Sequence, residues 1–257
     1  MPADRVAAAF GNEDRVAALM PYLMGGFPDV ETSVDVGLAC ADAGADLVEL
    51  GIPFSDPLAD GPTIHAAATA ALDAGVTPGM VLGACERIAE RIPVVLMVYA
   101  NLALQDGFPD RAVAAGASGL IVPDLPHDEA DGLRATSDER GLALVPLVAP
   151  TTPPERIDAI GAGARGFVYT VSLTGTTGER AELPPGLEET VERVRAAAPV
   201  PVAVGFGIST PEQARTVGQV ADGVIVGSRL VRAAGEGGAA AVGDLVRGFA
   251  QALERRR

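Results

Sequence analysis

The run LVELGIPFSDPLADGP, from Leu47 to Pro62, carries three acids within twelve residues: Glu49, Asp56 and Asp60. Glu49 lies inside an apolar stretch that Asp46 opens and Gly51 ends. An acid at the end of a buried strand is costly unless it has a partner or a task. Two carboxylates in unlike surroundings can divide a reaction between them. One that is partly buried beside Leu50 and Ile52 has its pKa raised and can hold and hand over a proton; one in the following loop stays ionised and accepts a hydrogen bond from a substrate N–H. Glu49 fits the first role and Asp60 the second. The plainer reading of Glu49, an acid capping a strand end or pairing with an arginine, stays open at this point. Asp56, between Ser55 and Pro57, shapes its loop or meets a partner, and the two histidines, His65 and His127, read as a helix-start residue and a surface residue.

A second group of residues is suited to an anion. GFGIS (Gly205 to Ser209) and VGSRL (Val226 to Leu230) each place glycine before a predicted helix start, where bare amides and the positive helix end face outward. Two such turns on neighbouring strands would cradle a phosphate, with Ser228 capping its helix and donating to the anion. The chain has no lysine among its 19 basic residues, so a Schiff base is excluded, and two histidines are too few for a His-rich metal site. General acid–base chemistry by carboxylates on a phosphorylated substrate remains, with no metal.

These residues need a scaffold that brings strand ends together. From about Ala18 the sequence alternates short aliphatic runs with longer Ala-rich segments of helical period, the pattern of repeated βα units. Predicted strands span 18–24, 46–51, 93–99, 119–123, 142–148, 166–172, 201–207 and 223–227. Their apolar residues are nearly continuous, as in strands covered on both faces. Predicted helices span 31–43, 63–74, 78–91, 109–115, 128–140, 153–160, 186–197, 211–217 and 229–257, and an added helix at 3–15 could plug the barrel floor. Eight strands with right-handed crossovers close into a (β/α)8 TIM barrel, expected as a single domain over 1–257. An open doubly wound sheet is the alternative, but LMGGFPD after the first strand lacks the G-x-G-x-x-G spacing. In a barrel the site lies in the loops after the strands. The long run LTGTTGERAELPP (Leu173 to Pro185), after the sixth strand, reads as a mobile lid or a solvated loop.

Composition removes other classes. A net charge of −15 without a basic patch argues against nucleic acid or an anionic membrane as partner. No apolar run reaches the ~20 residues that a membrane span needs, and no leader opens the sequence, so a soluble cytoplasmic protein is expected. Cys40 and Cys85, both in predicted helices among alanines, read as reduced core thiols.

The chain resembles the α subunit of tryptophan synthase along nearly its whole length. The resemblance rests on PYLMGGFPD (21–29), ELGIPFSDPLADGPTI (49–64), MVYANL (97–102), VPDLP (122–126), YTVSLTGTTG (169–178), GFGIS (205–209) and VGSRL (226–230). It implies retro-aldol cleavage of indole-3-glycerol phosphate to indole and glyceraldehyde 3-phosphate, with no cofactor in this chain. It also implies a β subunit that carries pyridoxal phosphate and consumes the indole, in an α2β2 complex. Residue by residue, it assigns proton transfer to Glu49, the indole N–H to Asp60 and a place beside the glycerol to Tyr169. Thr177 and Gly178 fall in the lid, and Gly178, Gly207, Gly227 and Ser228 match phosphate-binding positions. Tyr22, Ile64, Met97, Ile121 and Phe206 would line the indole pocket, and Pro53, Asp56, Asn101 and Pro126 would face the β subunit. Tyr22 stands where phenylalanine is commoner, Phe27 where aspartate is frequent, Thr176 where valine is frequent, and Arg229 adds a charge beside the cradle. A free-standing lyase and an idle barrel that only activates a partner are the competing readings; intact Glu49 and Asp60 argue against the second.

Overall fold

The computed structural model describes residues 1–58, 60–171, 186–205 and 207–255. Thr176, Thr177, Gly178 and Phe206, and with them the expected lid from Leu173 to Pro185, lie outside these residues.

Among the described residues nine parallel strands form one sheet: β1 (Ala18–Met24), β2 (Val48–Gly51), β3 (Val94–Met97), β4 (Gly119–Ile121), β5 (Ala143–Val145), β6 (Leu147–Val148), β7 (Val168–Val171), β8 (Val202–Gly205) and β9 (Gly223–Val226). Their order is β5-β4-β3-β2-β1-β9-β8-β7-β6. The two ends of that order are consecutive in the chain, so the sheet is a (β/α)8 barrel whose fifth stave is broken in two. The break falls on Pro146, inside what the sequence presents as one strand over 142–148. Proline has no N–H to give a ladder; β5 pairs with β4, β6 pairs with β7, and the Pro146 carbonyl still accepts the Tyr169 N–H at 2.9 Å.

Side chains alternate between two cores. Met20, Tyr22, Met24, Val95, Met97, Ile121, Val145, Tyr169, Ala203 and Ile225 fill the barrel. Leu19, Leu23, Val48, Leu50, Val94, Leu96, Leu120 and Val204 pack under the helices instead. Both faces of each strand are therefore apolar, which is why the strands read as continuous apolar runs. Glu49 pairs with Tyr22 on one side and Val95 on the other, both inward-facing, so its carboxyl enters the barrel.

The helices are α1 (Pro2–Ala9), α2 (Val30–Asp42), α3 (Pro62–Asp73), α4 (Pro78–Ala89), α5 (Ala100–Ala103), α6 (Phe108–Ala114), α7 (Asp131–Arg140), α8 (Pro154–Ala162), α9 (Leu187–Ala197), α10 (Pro211–Gly218) and α11 (Ser228–Ala252), with a 3-10 turn at His127–Glu129. Asp29, Thr77 and Thr210 cap α2, α4 and α10 through their side chains. The short α5 does not follow from periodicity, and α11 breaks at Gly238, whose φ of 58° suits glycine. Among the described residues no single helix is long and apolar enough to cross a membrane.

Helix α1 stops at Ala9, short of the expected Arg15, but it does plug the floor. Val6 and Ala9 join the inner core, and the Phe10 ring lies 5.6 Å from that of Phe167. Asp46 then secures the entry to β1: it accepts the Arg15 guanidinium at 2.5 Å and the Leu19 N–H at 2.8 Å. This acid is structural, unlike Glu49 and Asp60.

Candidate active site

Glu49 is 1 % exposed, and among the described residues neither carboxylate oxygen has a hydrogen-bond partner. Burial, and then the negative charge of Asp60, pushes its pKa up to about 8. Among the described residues no arginine pairs with it, which argues against the plainer reading of a paired strand-end acid. A buried carboxyl without protein partners is neutral at pH 7 and carries a proton it can give away.

Asp60 stands at the end of the loop from β2, just before Gly61, which opens α3. Burial raises its pKa; a hydrogen bond from the Tyr99 hydroxyl and the charge of His65, at the start of α3, oppose that rise. Tyr99 is itself held by a ring stack on Phe54, with centroids 4.7 Å apart. Sequence reasoning missed Tyr99. The available signal was an aromatic directly after an apolar strand, in MVYANL, pointing at the mouth.

Tyr22 and Tyr169 complete the chamber. Each lies across a glycine of the adjacent strand: a Cβ built on Gly51 would come within 2.3 Å of the Tyr22 hydroxyl, and one on Gly205 within 2.3 Å of the Tyr169 hydroxyl. Burial holds both phenols well above their ordinary pKa, with the charge of Glu49 adding to it in each case, so both stay protonated. Met97 and Ile121 line the same inner core at the ends of β3 and β4, and Ile64 joins from α3.

The phosphate cradle is less even than the sequence implies. Gly207, with φ of 81°, needs the freedom of glycine. Helix α10 starts at Pro211, as its pattern predicts, but the Ser209 and Thr210 N–H groups before it are taken by the Gln213 side chain at 2.8 and 3.1 Å. At α11 the cap is Gly227 rather than Ser228, and it makes no side-chain cap bond. The first turn of α11 is thus the better placed to face an anion, with the Ser228 hydroxyl beside it. Arg229 is half-buried and Arg232 reaches Thr63 Oγ1 on α3 at 3.5 Å.

The four rim residues lie on neighbouring loops. Asp56, Asn101 and Pro126 are exposed and Pro53 is half-buried; the Ser55 hydroxyl donates to Asp56 at 2.5 Å. Leu58, 87 % exposed, and Leu104, 54 % exposed, stand in the same loops after β2 and β3. His127 is half-buried rather than on the open surface, with its ring Nδ1 3.2 Å from the Arg134 guanidinium. Burial and then Arg134 lower its pKa.

A buried neutral acid, a second carboxylate held by a phenol, and an open helix start around the C-terminal mouth of a barrel define a (β/α)8 enzyme that moves protons on an anionic substrate. Comparison with known proteins narrows this. The family model "Tryptophan synthase alpha chain" matches residues 9–253. A tryptophan synthase alpha chain of Gloeobacter violaceus is 49 % identical over 236 residues, covering 89 % of this chain and 86 % of the relative. One from Synechococcus sp. (strain CC9902) is 52 % identical over 221 residues, covering 84 % and 82 %. A chain of Mycobacterium tuberculosis tryptophan synthase superposes with a TM-score of 0.91 at 41 % identity, covering 99 % of this chain and 98 % of that one. The chain belongs to the tryptophan synthase alpha chain family.

Proposed function

We propose that this chain cleaves indole-3-glycerol phosphate to indole and glyceraldehyde 3-phosphate, with Glu49 as the proton carrier. The observation that carries the reading is the buried, unpartnered Glu49 carboxyl with its pKa near 8, beside Asp60. The neutral acid gives its proton to ring carbon C3 of the indole. The resulting indolenine nitrogen is positive, and ionised Asp60 accepts its N–H and stabilises the charge. Glu49, now a carboxylate, takes the proton of the hydroxyl on the side-chain carbon bonded to C3. The C–C bond breaks, its electrons restore the indole ring, and the hydroxyl carbon leaves as the aldehyde. Glu49 ends protonated, ready for the next turnover. Tyr169 stands beside the glycerol chain, and Gly207, Gly227 and Ser228 hold the phosphate.

The indole passes to a pyridoxal-phosphate β subunit docked on the rim of Pro53, Asp56, Asn101 and Pro126. The exposed Leu58 and Leu104 support a protein partner there, because large apolar side chains on adjacent mouth loops gain by being covered. A free-standing lyase would leave both in water. The test is to supply indole-3-glycerol phosphate to the purified chain, alone and with a β subunit, and follow indole and glyceraldehyde 3-phosphate. Equimolar release, accelerated by the β subunit, is expected; no release under either condition would overturn the reading.

A further inference from the structure

Tyr22 lies in β1, Gly51 ends β2 and Tyr99 follows β3, three neighbouring strands, and the loop that carries Asp60 leaves the middle one. Tyr99, just beyond β3, donates its hydroxyl to Asp60 from one side of β2. Tyr22 approaches from the other. It pairs in register with Glu49, and its ring then runs toward the mouth until the hydroxyl lies over Gly51, which has no Cβ to obstruct it. Gly227 flanks the base of the same ring, where an added Cβ would meet the Tyr22 Cβ at 3.6 Å. The side chain is walled in by glycines and only 6 % exposed, and its hydroxyl, which is not completely enclosed, makes no hydrogen bond to the described residues. Such an O–H is free to donate to an acceptor that reaches it in the working state.

The geometry points to Tyr22 as a second positioning residue for Asp60, its hydroxyl closing on the loop carboxylate opposite that of Tyr99 and holding it ionised and turned toward the substrate N–H. This rests on the proposed role of Asp60. The groups facing this carboxylate are Tyr22 from β1, Glu49 from β2, Tyr99 from the end of β3 and His65 from α3, with Tyr169 of β7 next to Tyr22 and Glu49. Of these, Glu49 is neutral at pH 7 and both Tyr22 and Tyr169 stay protonated, so Tyr22 acts as a donor only. Of the charges that oppose ionisation of its hydroxyl, that of Asp60 is the largest. Burial works to protonate Asp60, and each added donor works against it. A phenylalanine at position 22 would keep the ring and its packing and lose only this donor.

The experiment is Tyr22→Phe in the full chain, with Tyr99→Phe beside it and the double variant. A carboxylate that loses a donor protonates at higher pH, so the acidic limb of kcat/KM should move up in Tyr22→Phe and further in the double variant. At the acid end the loss should reach about tenfold, the scale of one hydrogen bond to a charged group, while the alkaline limb set by Glu49 stays in place. A purely structural role for Tyr22 would lower kcat/KM evenly at all pH values. Titration of Asp60 by carbon NMR in the ligand-free chain reads the same shift without any turnover, and so separates this inference from the proposed reaction. An Asp60 titration midpoint unchanged in Tyr22→Phe, or one displaced only in Tyr99→Phe, would overturn it.

Discussion

Replacing Glu49 by glutamine is expected to stabilise the fold, and to do so increasingly as pH rises. Glu49 titrates near 4.5 in the unfolded chain and at about 8 in the folded one, because burial and Asp60 oppose its charge. Between those values the folded state binds more protons than the unfolded state, so stability falls with rising pH. The cost is absent below about 4.5 and complete above about 8. At pH 7 the interval already traversed is about 2.5 units, or about 3 kcal/mol at 1.36 kcal/mol per unit. Glutamine keeps the shape and never ionises, and its amide is no better partnered than the neutral acid. For a chain of this size about 2–4 °C of Tm accompanies each kcal/mol, so Glu49→Gln should melt roughly 6–12 °C above wild type at pH 7. Near pH 4.5 the two should melt together. Paired urea or thermal unfolding curves from pH 4.5 to 9 measure this. A difference between the two proteins that stays constant across that range would refute a buried, proton-holding Glu49.

Other substitutions probe the parts around it. Gly51→Ala places a Cβ within 2.3 Å of the Tyr22 hydroxyl, so it should displace that side chain and lower kcat while Tyr169 and its glycine stay intact; unchanged kinetics would contradict the close packing. Gly227→Ala meets only Tyr22 carbons at 3.6 Å and beyond, so the chain should fold normally. Its Cβ covers the start of α11, and the expected result is a raised KM for the phosphorylated substrate, with inorganic phosphate losing its power to compete. Asp56→Ala, at an exposed rim position, should reduce acceleration by the β subunit more than the basal rate; equal effects on both would remove Asp56 from the interface.

The eight-stave plan and the acid pair were legible because each leaves a local mark. Continuous aliphatic runs of five to seven residues signal strands buried on both faces, and Glu49 interrupts one of them. What the sequence hides is set by neighbours distant along the chain. LALVPLV reads as a single strand, because hydrophobicity does not register that the pairing partner changes at Pro146. The hydrogen bond of Tyr99 to Asp60 depends on a loop folding back over β3, and the clearance that Gly51 and Gly205 give two tyrosines depends on register between strands. The α11 cap fell on Gly227 rather than Ser228, one residue from the expectation, and although α10 starts at Pro211 as its pattern predicts, Gln213 in its first turn takes the Ser209 and Thr210 amides that GFGIS was expected to leave free. The ring of Phe10 completes the floor just beyond a helix that ends earlier than its composition suggested.

The most direct test of the central claim is single-turnover release of indole from indole-3-glycerol phosphate by wild type and Glu49→Gln at pH 7, with binding of the 3-indolylpropyl phosphate analogue measured alongside. Loss of a general acid–base residue costs about a hundredfold or more in rate, so the variant should bind the analogue as wild type does and form indole at least about a hundred times more slowly. A variant that binds normally and retains more than about a tenth of the wild-type rate, outside the range for such a residue, would show that Glu49 does not carry the proton.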